Sequence, residues 1–224
     1  MKKILCLISL SFTMIIGILT CEIKAMDKTK YPTVRELLNS GDLDLRELSM
    51  AEPLSLEDTI AASISIYTNP KLKISSGASL GHSWIVIKNY NQTRTYGTYS
   101  TQANKSFTMG TFGNKGYNGI WYNVESAERS NIVASDTFYL KTAIMGDKIS
   151  TFRNSIASYN YWNVGQNCAY FASNMWNKAG GSKISVNTIE TPASLASKIK
   201  EKSGYKTGIS DVDFVNASKS VSHY

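Results

Sequence analysis

The sequence predicts an α+β fold, an antiparallel sheet with helices packed to one side. Three observations predict it. The first half of the chain carries β-branched and aromatic runs with period-two alternation, the second half carries apolar runs with helical spacing, and the strands come first rather than alternating with the helices.

The elements follow in order. Lys2 and Lys3 precede an apolar run from Ile4 to Thr20, the pattern of a secretory signal over residues 1–25. Cleavage after Ala25 fits better than a lipoprotein box at Ile18-Leu19-Thr20-Cys21, where threonine stands in place of a smaller residue before the cysteine. An uncleaved anchor is the third option, for which the run is short. Residues 26–58 form a polar extension, with a short helix at Pro32–Leu38 and a capped turn at Ser55–Asp58. The domain proper spans 59–205. Thr59–Thr68 alternates Ile60, Ala62, Ile64 and Ile66 and reads as a strand, ended by Asn69-Pro70. A Ser/Gly-rich loop covers 71–80. Gly81–Asn89 is a second strand, with Arg94–Thr101 as its expected hairpin partner. Residues 102–119 show no clear period and read as a long loop or irregular hairpin bordering a site. Ile120–Val124 and Ser135–Met145 are further strands. Asp147–Asn160 has helical spacing through Ile149, Phe152, Ile156 and Tyr159. Residues 185–190 are a short strand or loop. Thr191-Pro192 opens a last helix, with threonine as cap and proline in the first turn. Residues 206–224 read as a loosely packed tail.

The stretch Tyr159–Gly181 carries the chemistry. Asn167 is a good helix cap, Cys168 follows it, and Tyr170, Phe171 and Met175 continue with helical spacing until Gly180-Gly181. A cysteine there sits at the positive end of the helix dipole among unpaired N–H groups, which favour the thiolate and can hold an oxyanion. After cleavage at Ala25, Cys6 and Cys21 are gone and Cys168 is the only thiol, so no internal disulfide forms. A single thiol left in an exported protein suggests catalysis; the alternative is an inert buried cysteine.

A working thiol needs a base. Of the two histidines, His223 lies in the tail, whereas His82 opens an apolar strand and shares its face with Trp84 and Val86. If the hairpin closes around Tyr90-Asn91-Gln92, Ser100 stands opposite His82, with Thr98 and Tyr96 on the same face, and a one-residue slip removes all three. Ser100 or Thr98 are therefore the candidate orienters, Tyr96 an orienter or oxyanion donor, and Gln166 an oxyanion donor.

The net charge of +7 falls to +5 once residues 1–25 are removed. The denser basic patch at Lys198, Lys200, Lys202 and Lys206 reads as a solvated helix face, with weak attraction to anionic surfaces as the alternative. No nucleic-acid motif, metal-ligand spacing or phosphate loop is present, so no cofactor, metal or nucleic-acid partner is expected.

Gly81-His82-Ser83-Trp84, then Tyr96-Gly97, then Asn167-Cys168 with Phe171-Ala172, then Thr191-Pro192-Ala193-Ser194-Leu195 resemble, in this order, the circularly permuted papain-like enzymes of the NlpC type. The resemblance covers roughly residues 59–203. It implies that fold, a Cys168 nucleophile and a His82 base, and a hydrolase or acyltransferase acting on a peptide, cell-wall or lipid amide or ester. The third polar residue that the family carries after the histidine strand has only hydroxyl counterparts here.

Overall fold

A computed structural model describes residues 31–73, 81–113, 118–210, 214, 217 and 219–224. The signal segment expected at 1–25, with Cys6 and Cys21, lies outside the described residues, as does much of the loop expected at 71–80. The fold is α+β. Its elements are α1 (Val34–Asn39), β1 (Ile60–Asn69), β2 (His82–Asn89), β3 (Arg94–Tyr96), β4 (Tyr99–Thr101), β5 (Ser106–Gly113), β6 (Asn118–Tyr122), α2 (Val124–Ala127), β7 (Phe138–Met145), α3 (Ile149–Ser155), α4 (Cys168–Ala179), α5 (Pro192–Lys200), β8 (Lys206–Thr207) and β9 (Ser222–His223). No helix among the described residues is long and apolar enough to cross a membrane.

Seven strands form one sheet in the order β8-β7-β1-β2-β5-β6-β9, with every strand pair antiparallel. Period-two alternation sends Ile64, Ile66, Ile85, Ile87 and Met109 into one core with Phe171, Ala172 and Met175 of α4 and Leu195 and Ile199 of α5. The opposite residues, Tyr67, Trp84, Val86 and Phe112, build a second core with Val124, Ile132 and Tyr139. β1 and β2 are buried along their whole length, so the central strands are covered on both faces. Burying an aliphatic or aromatic side chain contributes about 1.5–3 kcal/mol, and this two-sided burial holds β2 rigid beneath whatever its ends carry.

Three expectations are corrected. Arg94–Thr101 does not pair with β2. It folds on itself as β3 and β4, with Arg94 opposite Thr101, through a turn at Gly97 with φ of 61°. The Arg94 guanidinium anchors that hairpin from below, donating to the carbonyls of Ala61 and Tyr90 at 3.0 and 2.8 Å. The true neighbour of β2 is β5, inside the segment expected to be a loop. Its alternation is masked because Thr108 and Gly110 stand where bulkier residues would mark a second buried face. Third, the tail is not loose throughout: β8 and β9 close the two ends of the sheet.

The extension packs on the domain. Val34, Leu37 and Leu43 join Ile60, Tyr90 and Ala143 in a third cluster. Thr33, not a helical Pro32, caps α1 in a capping box with Glu36. Residues 185–190 form no strand.

Candidate active site

The site stands where α4 begins. Asn167 has extended backbone and caps the helix, its Oδ1 accepting from the N–H groups of Ala169 and Tyr170 at 3.0 and 3.1 Å. Its side-chain amide donates to the carbonyls of Val164 at 3.0 Å and Glu190 at 2.6 Å. One asparagine thus ties the loop before α4 to the loop before α5. The Glu190 carboxylate is buried and holds the second loop, accepting from the Asn187 N–H at 3.0 Å and Lys198 Nζ at 2.5 Å. The cap also changes what the helix end offers. The Ala169 and Tyr170 N–H groups are spent on Asn167 Oδ1, and the Phe171 N–H on the Asn167 carbonyl. The N–H of Cys168 itself lies outside this cap.

His82 opens β2, and its ring stands close enough to the Cys168 side chain for the two to interact electrostatically. Its Nε2 is 2.7 Å from Glu125 Oε1, so Nδ1 is the nitrogen left for the thiol. The second carboxylate oxygen accepts from Thr108 Oγ1 at 2.7 Å. Glu125 comes from α2, which turns back over β5 after Asn123; that asparagine takes a left-handed conformation with φ of 64° and exchanges backbone and side-chain bonds with Thr108. His82 is 1% exposed, Glu125 0% and Cys168 8%. The imidazole lies between Phe112 and Trp84, stacked on both with ring centroids 4.7 and 5.7 Å away.

Gly110 makes this arrangement possible. A Cβ there would stand 2.4 Å from Glu125 Oε1 and 3.0 Å from His82 Nε2. Only a residue without a side chain lets the carboxylate reach the ring across β5.

Burial opposes a charge on His82, but the Cys168 thiol and the Glu125 carboxylate both favour one and together prevail, raising the imidazole from 6.5 to about 9. A buried imidazolium between a carboxylate and a sulfur is the form this geometry supports at neutral pH.

The structure brings Cys168 and His82 together and leaves the expected orienters elsewhere. Ser100 Oγ pairs with Thr95 Oγ1 at 2.7 Å on the separate β3–β4 hairpin. Thr98 Oγ1 donates to the His223 carbonyl at 3.4 Å. The Tyr96 hydroxyl is buried and donates to Asn89 Oδ1 at 2.6 Å. The physical reason is the corrected pairing of β2 with β5: the residues that reach the imidazole come from and across β5. Gln166 lies in an exposed turn built by Asn163, and its Oε1 accepts from Asn163 Nδ2 at 3.1 Å. His223 Nε2 lies 2.7 Å from the Asn118 carbonyl, on the far edge strand. The sequence does not mark Glu125, because nothing in VESAERS distinguishes a buried acid from a solvated one. The one available signal was Gly110 amid β-forming residues, which marks a close backbone approach.

No family model, curated protein or solved structure matches the chain. Among the described residues no group of His, Cys, Asp or Glu side chains is arranged to hold a metal ion. The arrangement offers a thiol at a helix amino end, an imidazole beside it, and a carboxylate on one ring nitrogen. That set can activate a sulfur nucleophile and deliver a proton to a leaving group.

Proposed function

We propose that the chain is an exported thiol hydrolase with a permuted papain-like fold, cleaving an amide or ester through an acyl-enzyme on Cys168. The observation that carries this is His82, beside the Cys168 side chain and with its Nε2 bonded to Glu125. The strand-before-helix order of the two residues agrees with the permuted arrangement, and the apolar run of residues 4–20 supports export.

Sulfur attacks the carbonyl carbon, and the carbonyl electron pair moves to oxygen. The Cys168 N–H and the Gln166 side-chain amide are the donors for that oxyanion. Collapse expels the amine or alcohol, which takes the proton from His82. Water then gives that imidazole a proton, attacks the thioester, and the acid departs as sulfur and imidazolium are restored. Glu125, held by Thr108, fixes the ring and stabilises its charge. The near-complete enclosure of His82 favours a second reading, transfer of the acyl group to a bound acceptor in place of water.

The test is labelling of the protein with iodoacetamide across pH, read at Cys168 by peptide mapping so that Cys6 and Cys21 do not count. Rapid single labelling at Cys168 near neutrality is expected, slowed roughly 10²-fold or more in His82→Ala, with Glu125→Gln between the two. Labelling that needs alkaline pH and ignores the loss of His82 would discard the activated thiol.

A further inference from the structure

Two loops lie against the residue that caps the cysteine helix, and both present bare apolar side chains. Val164 is 64% exposed and Ile189 is 56% exposed, with Tyr161 at 38% beside the first loop. Singly exposed apolar residues are ordinary. These two are not independent, since the Asn167 amide bonds the Val164 carbonyl in one loop and the Glu190 carbonyl, next to Ile189, in the other. The loops also touch: a Cβ on Gly165 would stand 3.4 Å from the Thr188 carbonyl oxygen. The residue that caps the cysteine helix therefore also holds the backbone of Val164, and that of Glu190 next to Ile189, beside the start of the helix.

The same segments are almost free of charge. No Asp, Glu, Lys or Arg occurs from Asn154 to Asn177, in a chain that is 18% charged. From Ile184 to Ser197 the only one is Glu190, which is buried and paired with Lys198. Lys198, whose ammonium reaches the second loop, is spent on Glu190 and the Ser185 carbonyl, while an aliphatic or aromatic group finds apolar surface to cover.

We propose that these loops form a subsite for an uncharged, apolar group flanking the scissile carbonyl. The donor is a soluble molecule with an aliphatic side chain or short acyl chain there, not one bearing a carboxylate or phosphate at that position. This rests on Cys168 being the nucleophile.

Maleimides test the subsite without knowledge of the substrate. Sulfur adds to one carbon of the ring double bond and the other carbon takes a proton, so the rate reports binding beside the thiol. N-ethyl-, N-butyl- and N-hexylmaleimide are compared on the full chain with maleimidohexanoic acid, which carries a carboxylate at the end of a similar chain, and each adduct is read at Cys168 by peptide mapping so that Cys6 and Cys21 do not count. The rate is expected to climb with chain length, by up to about fourfold for each methylene that the loops cover. The carboxylate should cancel the gain. Val164→Ser and Ile189→Ser should flatten the dependence while iodoacetamide labelling keeps its wild-type rate. Flat rates with fast iodoacetamide labelling would overturn the subsite and spare the nucleophile. Slow labelling indifferent to His82→Ala would instead bring down the nucleophile. A chain-length dependence that survives both substitutions would place the apolar contact elsewhere and overturn the assignment. So would binding to phosphatidylcholine vesicles that either substitution abolishes, since the loops would then face a bilayer.

Discussion

The chemistry at residue scale depends on a position with no side chain. Gly110 lies on β5 between the imidazole and the carboxylate, and the bond between them passes over its Cα. In Gly110→Ala the new methyl meets Glu125 Oε1 at 2.4 Å, and Glu125, buried and tied to Thr108, has little room to yield. Overpacking of this kind costs about 1–3 kcal/mol. The functional loss should exceed what that instability explains, because a catalytic group displaced by an ångström loses about 10²-fold in rate. Activity, or Cys168 labelling, measured well below the variant's melting temperature separates the two effects. A folded Gly110→Ala protein that labels like wild type would show that Glu125 does not orient the ring. The third residue eluded the sequence for the same reason: a glycine records the approach and does not say which side chain approaches.

At the scale of elements, legibility followed local signals. The start of α4 at Cys168, the cap at Asn167 and the stop at Gly180 were all readable, because capping chemistry is set by neighbours in the chain. β1 and β2 were readable from their alternation. β5 was not, since its second face is made small to receive the site. The β2–β5 pairing was not either, because register between strands is a tertiary choice that the turn after β2 does not dictate. The cap does more than the sequence could tell. Losing an asparagine cap costs about 1 kcal/mol. Asn167→Ala also removes the bonds to the Val164 and Glu190 carbonyls, each worth about 1 kcal/mol net. A loss of about 2 kcal/mol or more is expected in denaturant unfolding, with increased hydrogen exchange in 161–166 and 184–190. A loss confined to the helix end, with both loops still protected, would mean that the loops hold their positions without Asn167.

For the whole molecule, the buried site makes stability depend on pH. His82 titrates at about 9 in the fold against an ordinary 6.5, so the folded state holds its proton more tightly than the unfolded chain. The resulting stabilisation is complete below about 6.5 and is lost as pH rises through about 9. Tyr122 acts in a separate window. Burial pushes its hydroxyl from 10.0 up to about 12, so its contribution fades only above the ordinary tyrosine range. The thermal midpoint should therefore fall between pH 7 and about 9 and again at more alkaline pH. His82→Ala should abolish the first decline and keep the second, although its midpoint at pH 7 will be lower. The same deprotonation removes the proton that the leaving group needs, so turnover by the proposed mechanism should decline over the upper part of that window. Calorimetry of both proteins from pH 6 to 11 decides the matter. A first decline that persists without the imidazole would assign it to another group, and the buried ion pair at the centre of the proposed mechanism would have no thermodynamic trace.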